Sequence, residues 1–328
     1  MVVAKRAVAL LGGAIAVAGC SSSGTWKPVP ATILPAAPGV EMHHPPKHPT
    51  KAHAEAKPPA PTPMPADLPN DVDGALGASA TCEKTCTVAG VAPKGVAVPP
   101  KSPAVTWSES FPNAKAKLTF ARDPRIDVYG VVVKGEAKVR ATEEGAGKTL
   151  GPWTAFHAPA AGIDLESTKP GTRVVLAVVS DGTALDALPA PPKKATKRPS
   201  PVETKSLAEA PDLPWAGGAY HVRLAFEGKP ERASLDVLLA SPDAPVAPHV
   251  HEGSWEVLAM LRADGSFASA PDKDARELTG KKEKDGDVAI VPPGTKHAWL
   301  PGGTKPLVGI QLYVPPGPEQ RFKQLAGK

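Results

Sequence analysis

Apolar and polar positions alternate along this chain in short runs. β-branched and other apolar residues gather at 115–121, 127–134, 137–141 and 173–180, and again at 219–226, 233–240, 256–262, 287–291 and 307–314, with Gly, Pro and Asp between them. Runs of that length bounded by turn residues predict strands, and two such groups predict an all-β protein built of barrels or sandwiches. Residues 266–285 carry the charged stretch 281–285 and predict an exposed hairpin or loop without chemistry. The stretches 21–80 and 184–214 show almost no apolar periodicity.

Composition explains those two stretches. The chain has 328 residues and 41 prolines, far above the usual share of about 5%. Thirteen of them lie between Gly24 and Asn70. Such a segment buries too little to offset its conformational entropy, so 21–80 is expected to be a disordered, semi-extended tether. His43, His44, His48 and His53 sit in it and read as solvated linker residues. The Pro- and Lys-rich stretch 184–214 predicts a linker or surface strap between the two strand-rich halves.

The formal charge of +5 is concentrated in two places. Lys5 and Arg6 supply +2, and Lys193, Lys194, Lys197, Arg198 and Lys205 against Glu203 supply +4, so +5 − 2 − 4 leaves about −1 for the remainder. The basic pI therefore describes a linker, and nucleic-acid binding has little support.

Residues 1–20 read as a secretory signal: Lys5 and Arg6 precede a small apolar run, 7–18, too short to span a bilayer. Its end, Val17-Ala18-Gly19-Cys20, resembles the lipobox of bacterial lipoproteins. That resemblance implies lipidation of Cys20, export in the unfolded state and attachment to the cell envelope. Ser21 after the cysteine implies the outer membrane, facing the periplasm. Cys82 and Cys86 remain; in an exported protein an even pair four apart reads as a local disulfide.

The stretch 249–297 concentrates the candidate chemistry. His249 and His251 stand two apart, so on a strand both imidazoles leave one face. Glu256 opens the run expected to return, and Gly286, Pro292, Gly294 and His297 follow a second strand and a turn. This arrangement resembles the cupin superfamily. Its first motif, His-x-His followed by Glu, matches His249, His251 and Glu256; its second, Gly, Pro-x-Gly and His, matches Gly286, Pro292, Gly294 and His297. Two departures leave the ligands untouched: the first motif's glycine falls late, at Gly265, and Pro301 stands where Asn is common. The resemblance implies a jelly-roll barrel at 215–328 holding one divalent metal (Zn, Cu, Fe, Mn or Ni) through three His and one Glu, and a short closing helix in the tail. The affinity order of divalent metals favours Cu or Zn if the site is loaded after export. Strand parity places Leu258, Met260 and Arg262 toward the interior and Trp299 on the face of His297. Arg262 is then a carboxylate anchor at the rim, or points to solvent beside Asp264 and Gly265.

The half at 81–183 resembles a worn cupin in the order of its pieces. Its hairpin at 130–137 is preceded by 123–127 where His-x-His would stand, so a metal-free barrel is expected, with His157 a hydrogen-bonded structural residue. Together the halves imply a bicupin.

Three neutral imidazoles and a carboxylate suit a borderline divalent ion with open positions for a small ligand. Such an ion serves oxidation or lyase chemistry on a small oxygenated substrate. It serves equally a non-catalytic protein that captures a small ligand or metal at the envelope. A purely structural envelope protein would leave the donor set unexplained. The sequence does not give the oligomeric state; many cupins pair through barrel edges, so the resemblance allows a homodimer. The metal, the substrate and the packing of the two halves are not written in the sequence.

Overall fold

The computed structural model describes residues 60–142, 146–189, 201–228 and 231–326. The expectations for the signal, Cys20 and most of the tether fall outside these residues. The first half contributes β1 (Ser79–Thr81), β2 (Thr85–Val88), β3 (Ala104–Phe111), β4 (Lys117–Phe120), β5 (Ile126–Lys134), β6 (Ala137–Ala141), β7 (Lys148–Leu150), β8 (Thr154–Ala158), β9 (Ile163–Ser167), β10 (Thr172–Ser180) and β11 (Glu203–Ser206). The second contributes β12 (Asp212–Trp215), β13 (Tyr220–Phe226), β14 (Ser234–Ala240), β15 (Val246–His249), β16 (Trp255–Arg262), β17 (Asp264–Ala270), β18 (Thr279–Lys284), β19 (Val288–Val291), β20 (Lys296–Pro301) and β21 (Leu307–Val314), then the short helix α1 (Gln320–Leu325).

These strands form two barrels, each of two sheets. In the first barrel the orders are β1-β3-β10-β5-β8-β11 and β2-β4-β9-β6-β7; in the second they are β12-β13-β14-β21-β16-β19 and β15-β20-β17-β18. The charged stretch forms the β17–β18 hairpin. Cys82 and Cys86 are joined by a disulfide, with Cα atoms 5.8 Å apart.

The apolar alternation shows how the barrels meet. Along β5, Val128 and Val132 face the first barrel's interior, whereas Tyr129, Val131 and Val133 face outward into a separate core. That second core is shared with Leu235, Val237 and Leu239 of β14, Val257 and Ala259 of β16, and Ile310, Leu312 and Val314 of β21. The two six-stranded sheets therefore pack face to face, each buried on both sides. This is why their strands read as nearly continuous apolar runs.

The two segments expected to be linkers are partly structural. Residues 60–78 run as a strap over both barrels. Thr62 N–H donates to Asp243 at 3.0 Å, Met64 N–H to the Gly218 carbonyl at 2.9 Å, and Trp153 Nε1–H to the Pro69 carbonyl at 3.0 Å. Val72 and Leu76 are buried in the inter-barrel core. The expected tether, drawn through residue 80, thus gives way to packed chain at its end. Its prolines match a path that adds no strand but spends its few apolar residues on buried anchors. In the expected linker 184–214, β11 extends the first barrel and β12 the second, and Leu207 is fully buried between them.

Among the described residues no helix is long and apolar enough to cross a membrane.

Candidate metal centre

The second barrel's interior gathers the four expected donors from three strands and one loop. His249 ends β15 and pairs with His297 of β20; Glu256 lies on β16 between β19 and β21. His251 lies past the end of β15, in the loop, where the expected strand does not continue. The Gly294 N–H holds that loop by donating to the His251 carbonyl at 2.9 Å, and Gly294 itself turns at φ 76°. Glycine takes that left-handed conformation without strain.

One ligand atom from each of His249, His251, Glu256 and His297 lies within 4.8 Å of every other. A single ion with bonds of about 2.0–2.1 Å spans about 4 Å between opposite donors. His249 Nδ1 donates to the Ala247 carbonyl at 2.9 Å and His297 Nδ1 to the Thr295 carbonyl at 2.9 Å. These carbonyls fix the tautomers and leave both Nε2 lone pairs free. Glu256 Oε2 lies 3.0 Å from His251 Nε2 and 2.9 Å from His297 Nε2. Its other oxygen accepts from Gln311 Nε2 at 2.6 Å. With Nδ1 committed to Thr295, the buried His297 Nε2 of a neutral imidazole sets its lone pair against Glu256 Oε2, a contact that needs a proton or a cation between the two atoms. A cation held among the four donors meets that need, and the donor types suit a borderline divalent metal.

The electrostatics prepare the same donors. Burial raises the Glu256 carboxyl, but the imidazoles of His251 and His297 more than offset it and hold the group well below the usual carboxylate range. Burial and the neighbouring His297 push His249 down to about 4, so its imidazole is neutral near pH 7. For His297 burial acts downward, and Glu256 overcomes it and raises the group.

Beneath the donors lies a polar pair not anticipated from sequence. Gln311 on β21 and Asp236 on β14 are cross-strand partners. Neither Asp236 oxygen, nor Gln311 Oε1, has a hydrogen-bond partner. Burial, then the charge of Glu256, pushes Asp236 well above its ordinary value. The one signal for Asp236 was an acid in the midst of the run Leu235 to Ala240.

Around the donors is a small cavity of about 60 Å³ lined by Leu258, Phe267, Trp299 and Tyr313 among others. It adjoins a hollow of about 230 Å³ bounded by Trp215, Tyr220, His249, His251, Arg321 and Phe322. Trp215 stacks on Tyr220 and on Phe322 of α1, with ring centroids 4.5 and 5.5 Å apart. Leu258 and Trp299 lie where parity placed them. Met260 is fully buried in the barrel core but lines neither space. Arg262 corrects the expectation of a rim anchor: the pairing of β16 with β21 slips between Met260 and Arg262. That bulge turns the side chain out to Asp71 of the strap, 2.6 Å away.

The first barrel has no equivalent centre among the described residues. Its interior is filled by Trp107, Phe120, Phe156 and aliphatic neighbours, with Glu109 accepting from Trp107 Nε1 at 3.1 Å. His157 alternates with Phe156 and so faces outward, toward the second barrel.

Comparison with known proteins agrees with this architecture. No family model and no curated protein matches the chain. Solved structures do. A tryptophan variant of Bacillus subtilis oxalate decarboxylase is 12% identical and superposes with a TM-score of 0.51 over 64% of this chain and 68% of its own. The Bacillus subtilis enzyme studied for its Mn(II) centres is 13% identical, with a TM-score of 0.51 over 65% and 69%. An oxalate decarboxylase studied for substrate binding and reaction specificity is 12% identical, with a TM-score of 0.52 over 66% and 70%. At these identities the likeness assigns the fold alone: two jelly-roll barrels in one chain.

Proposed function

We propose that the second barrel holds one divalent metal through His249, His251, Glu256 and His297 and acts as a metal-dependent enzyme on a small oxygen-donor substrate. The observation that carries this reading is the convergence of three imidazoles and one carboxylate, with one ligand atom from each within 4.8 Å of every other. When bound, the ion supplies Lewis acidity and, if redox-active, electron transfer.

The chain's own residues set what can reach it. The apolar wall of Leu258, Phe267 and Trp299 excludes water and strengthens every charge interaction inside. The adjoining hollow admits a small molecule past Trp215 and Phe322, and Arg321 is the cationic side chain on its lining outside the imidazoles. That placement supports an anionic substrate with carboxylate oxygens, and oxalate, named for the neighbours of similar fold, is the natural first candidate. Gln311 holds one Glu256 oxygen and so aims the other at the donors.

A second reading, capture without turnover, is favoured by the phenols beside the hollow. Burial pushes Tyr220 up to about 12 and Tyr313 well above its ordinary value, so both stay un-ionised near neutrality and offer O–H groups to a bound ligand rather than a general base.

Metal content and turnover of oxalate and related small acids separate these readings. The wild-type chain should carry about one metal that a His249→Ala/His297→Ala variant loses while remaining folded. Glu256→Ala should abolish turnover. Unchanged metal content in the folded double variant would overturn the metal assignment. Saturable acid binding without product would decide for capture.

A further inference from the structure

We infer that the chain has a second divalent-cation site, outside both barrel interiors, at the junction of the two barrels. It is formed by His157, Glu203 and Glu231, with Asp127 behind the imidazole. One ligand atom from each of the three lies within 4.8 Å of the others. They line a hollow of about 490 Å³ together with Asp127 and Arg232.

The argument begins with His157. It is 3% exposed, and the Tyr129 ring stacks on it with centroids 4.3 Å apart. Its Nε2 lies 3.1 Å from Asp127 Oδ2. Asp127 Oδ1 takes the Ala160 N–H at 2.9 Å and lies 3.4 Å from Arg232 Nε. The His157–Asp127 bond therefore needs the imidazole proton on Nε2. A neutral imidazole then turns the lone pair of its buried Nδ1 toward Glu231 Oε2, 2.7 Å away and outside hydrogen-bond geometry. Two such atoms are held together by a proton or a cation between them, and a divalent ion takes the proton's place when it binds. A carboxylate behind a histidine is also the usual support of a metal-bound imidazole, fixing its tautomer and orientation.

Charge and topology point the same way. Asp127, Glu203 and Glu231 place three negative charges against Arg232 alone among the residues lining the hollow. Burial first, with Glu203 and Asp127 adding to it, raises Glu231, although His157 opposes this. Glu203 of β11 stands directly across from His157 of β8, so both project from one face of the first barrel's sheet. Glu231 comes from the second barrel, just before β14. An ion here would join the barrels, and one nitrogen with two carboxylates selects a borderline divalent cation such as Zn or Cu.

The test uses the full chain with His43, His44, His48 and His53 changed to Asn, so that the histidine-rich stretch does not contribute. In that background, Zn(II) uptake is measured by plasma mass spectrometry before and after adding His157→Ala, each with and without His249→Ala/His297→Ala. The barrel variant should keep one Zn that His157→Ala removes, and Cu(II) in its place should show a single nitrogen in its paramagnetic resonance spectrum. Glu231→Gln should weaken that binding at least tenfold, and it carries the same readout if His157→Ala fails to fold. A folded barrel variant that takes up no Zn, or a Zn that survives His157→Ala, would overturn the site. Loss of the barrel metal alone would leave it standing, so the two assignments fail separately.

Discussion

At the scale of single residues, the fold places polar groups where an apolar interior makes each one consequential. Gln311 touches no expected ligand position in the sequence pattern, yet its 2.6 Å bond fixes Glu256. Gln311→Leu should therefore weaken Zn(II) binding in the second barrel by about 10- to 100-fold, the usual cost of losing a group that orients a ligand. A competitive chelator titration measures this, with thermal unfolding of the metal-free chain as control. Glu109 offers the opposite case. Burial in the first barrel pushes its carboxyl up to about 7, against a bond from Trp107 that lowers it. Because the folded value lies above the ordinary one, the folded state holds the proton more tightly. Stability is greatest below about pH 4.5 and is lost as pH rises through about 7. Glu109→Gln keeps the acceptor for Trp107 and removes the charge, so it should add about 3 kcal/mol above pH 7 and flatten the stability profile between pH 5 and 7. Denaturant unfolding across that range checks it; an unchanged slope would show that Glu109 is not buried as a charge. The four donors were legible because their spacing is local. Gln311 and Asp236 were not, because their role arises only when β21 and β14 pair. The direction of Arg262 was left open for the same reason, since a bulge is invisible in strand parity.

At the scale of elements, the strap shows how a sequence without periodicity can still be structure. Residues 60–78 form no helix or strand, but they reach both barrels through hydrogen bonds and through Val72 and Leu76. Leu76→Ala should cost about 2–3 kcal/mol, as for other buried leucines. Asp71→Asn, which breaks an ion pair to Arg262 from an exposed carboxylate, should leave the unfolding midpoint nearly unchanged. Urea titration of both variants distinguishes a strap held by burial from one held by charge; equal effects would contradict burial. The strands of the two inner sheets were legible, since β5, β10, β14, β16 and β21 are buried on both faces and read as apolar runs. Others were not. β3 carries buried Thr106, Ser108 and Glu109, so its pattern looks polar, and β18 is largely exposed and charged. β11 and β12 lie in a stretch whose proline and lysine content outweighs two short pairings that only the barrels supply.

At the scale of the whole molecule, the two barrels are a single thermodynamic object. The core between them is as large a feature of the chain as either interior, and it is built from faces that neither barrel could leave in water. Outward-facing Val131, Val175 and Ala177 of the first meet Val237, Val257 and Ile310 of the second. Exposed on an isolated half, such a patch would drive association. Unfolding should therefore occur in one transition, with calorimetric and van't Hoff enthalpies in agreement. Val237→Asp tests the claim from within the interface. The residue is fully buried on β14 and faces the core between the barrels, away from the second barrel's interior where the donors lie. A carboxylate there has no partner, and burying an unpaired charge should cost more than about 3 kcal/mol. If the barrels were independent, that loss would lower the melting of one and leave the other in place, giving two calorimetric peaks. If they are coupled, as the shared core requires, the single peak moves down as a whole. The same substitution then destabilises the first barrel, which contains none of the altered chemistry. Val131→Asp, from the opposite side of the interface, should reproduce the shift and lower metal retention in the second barrel on heating, although it lies in the other half of the chain.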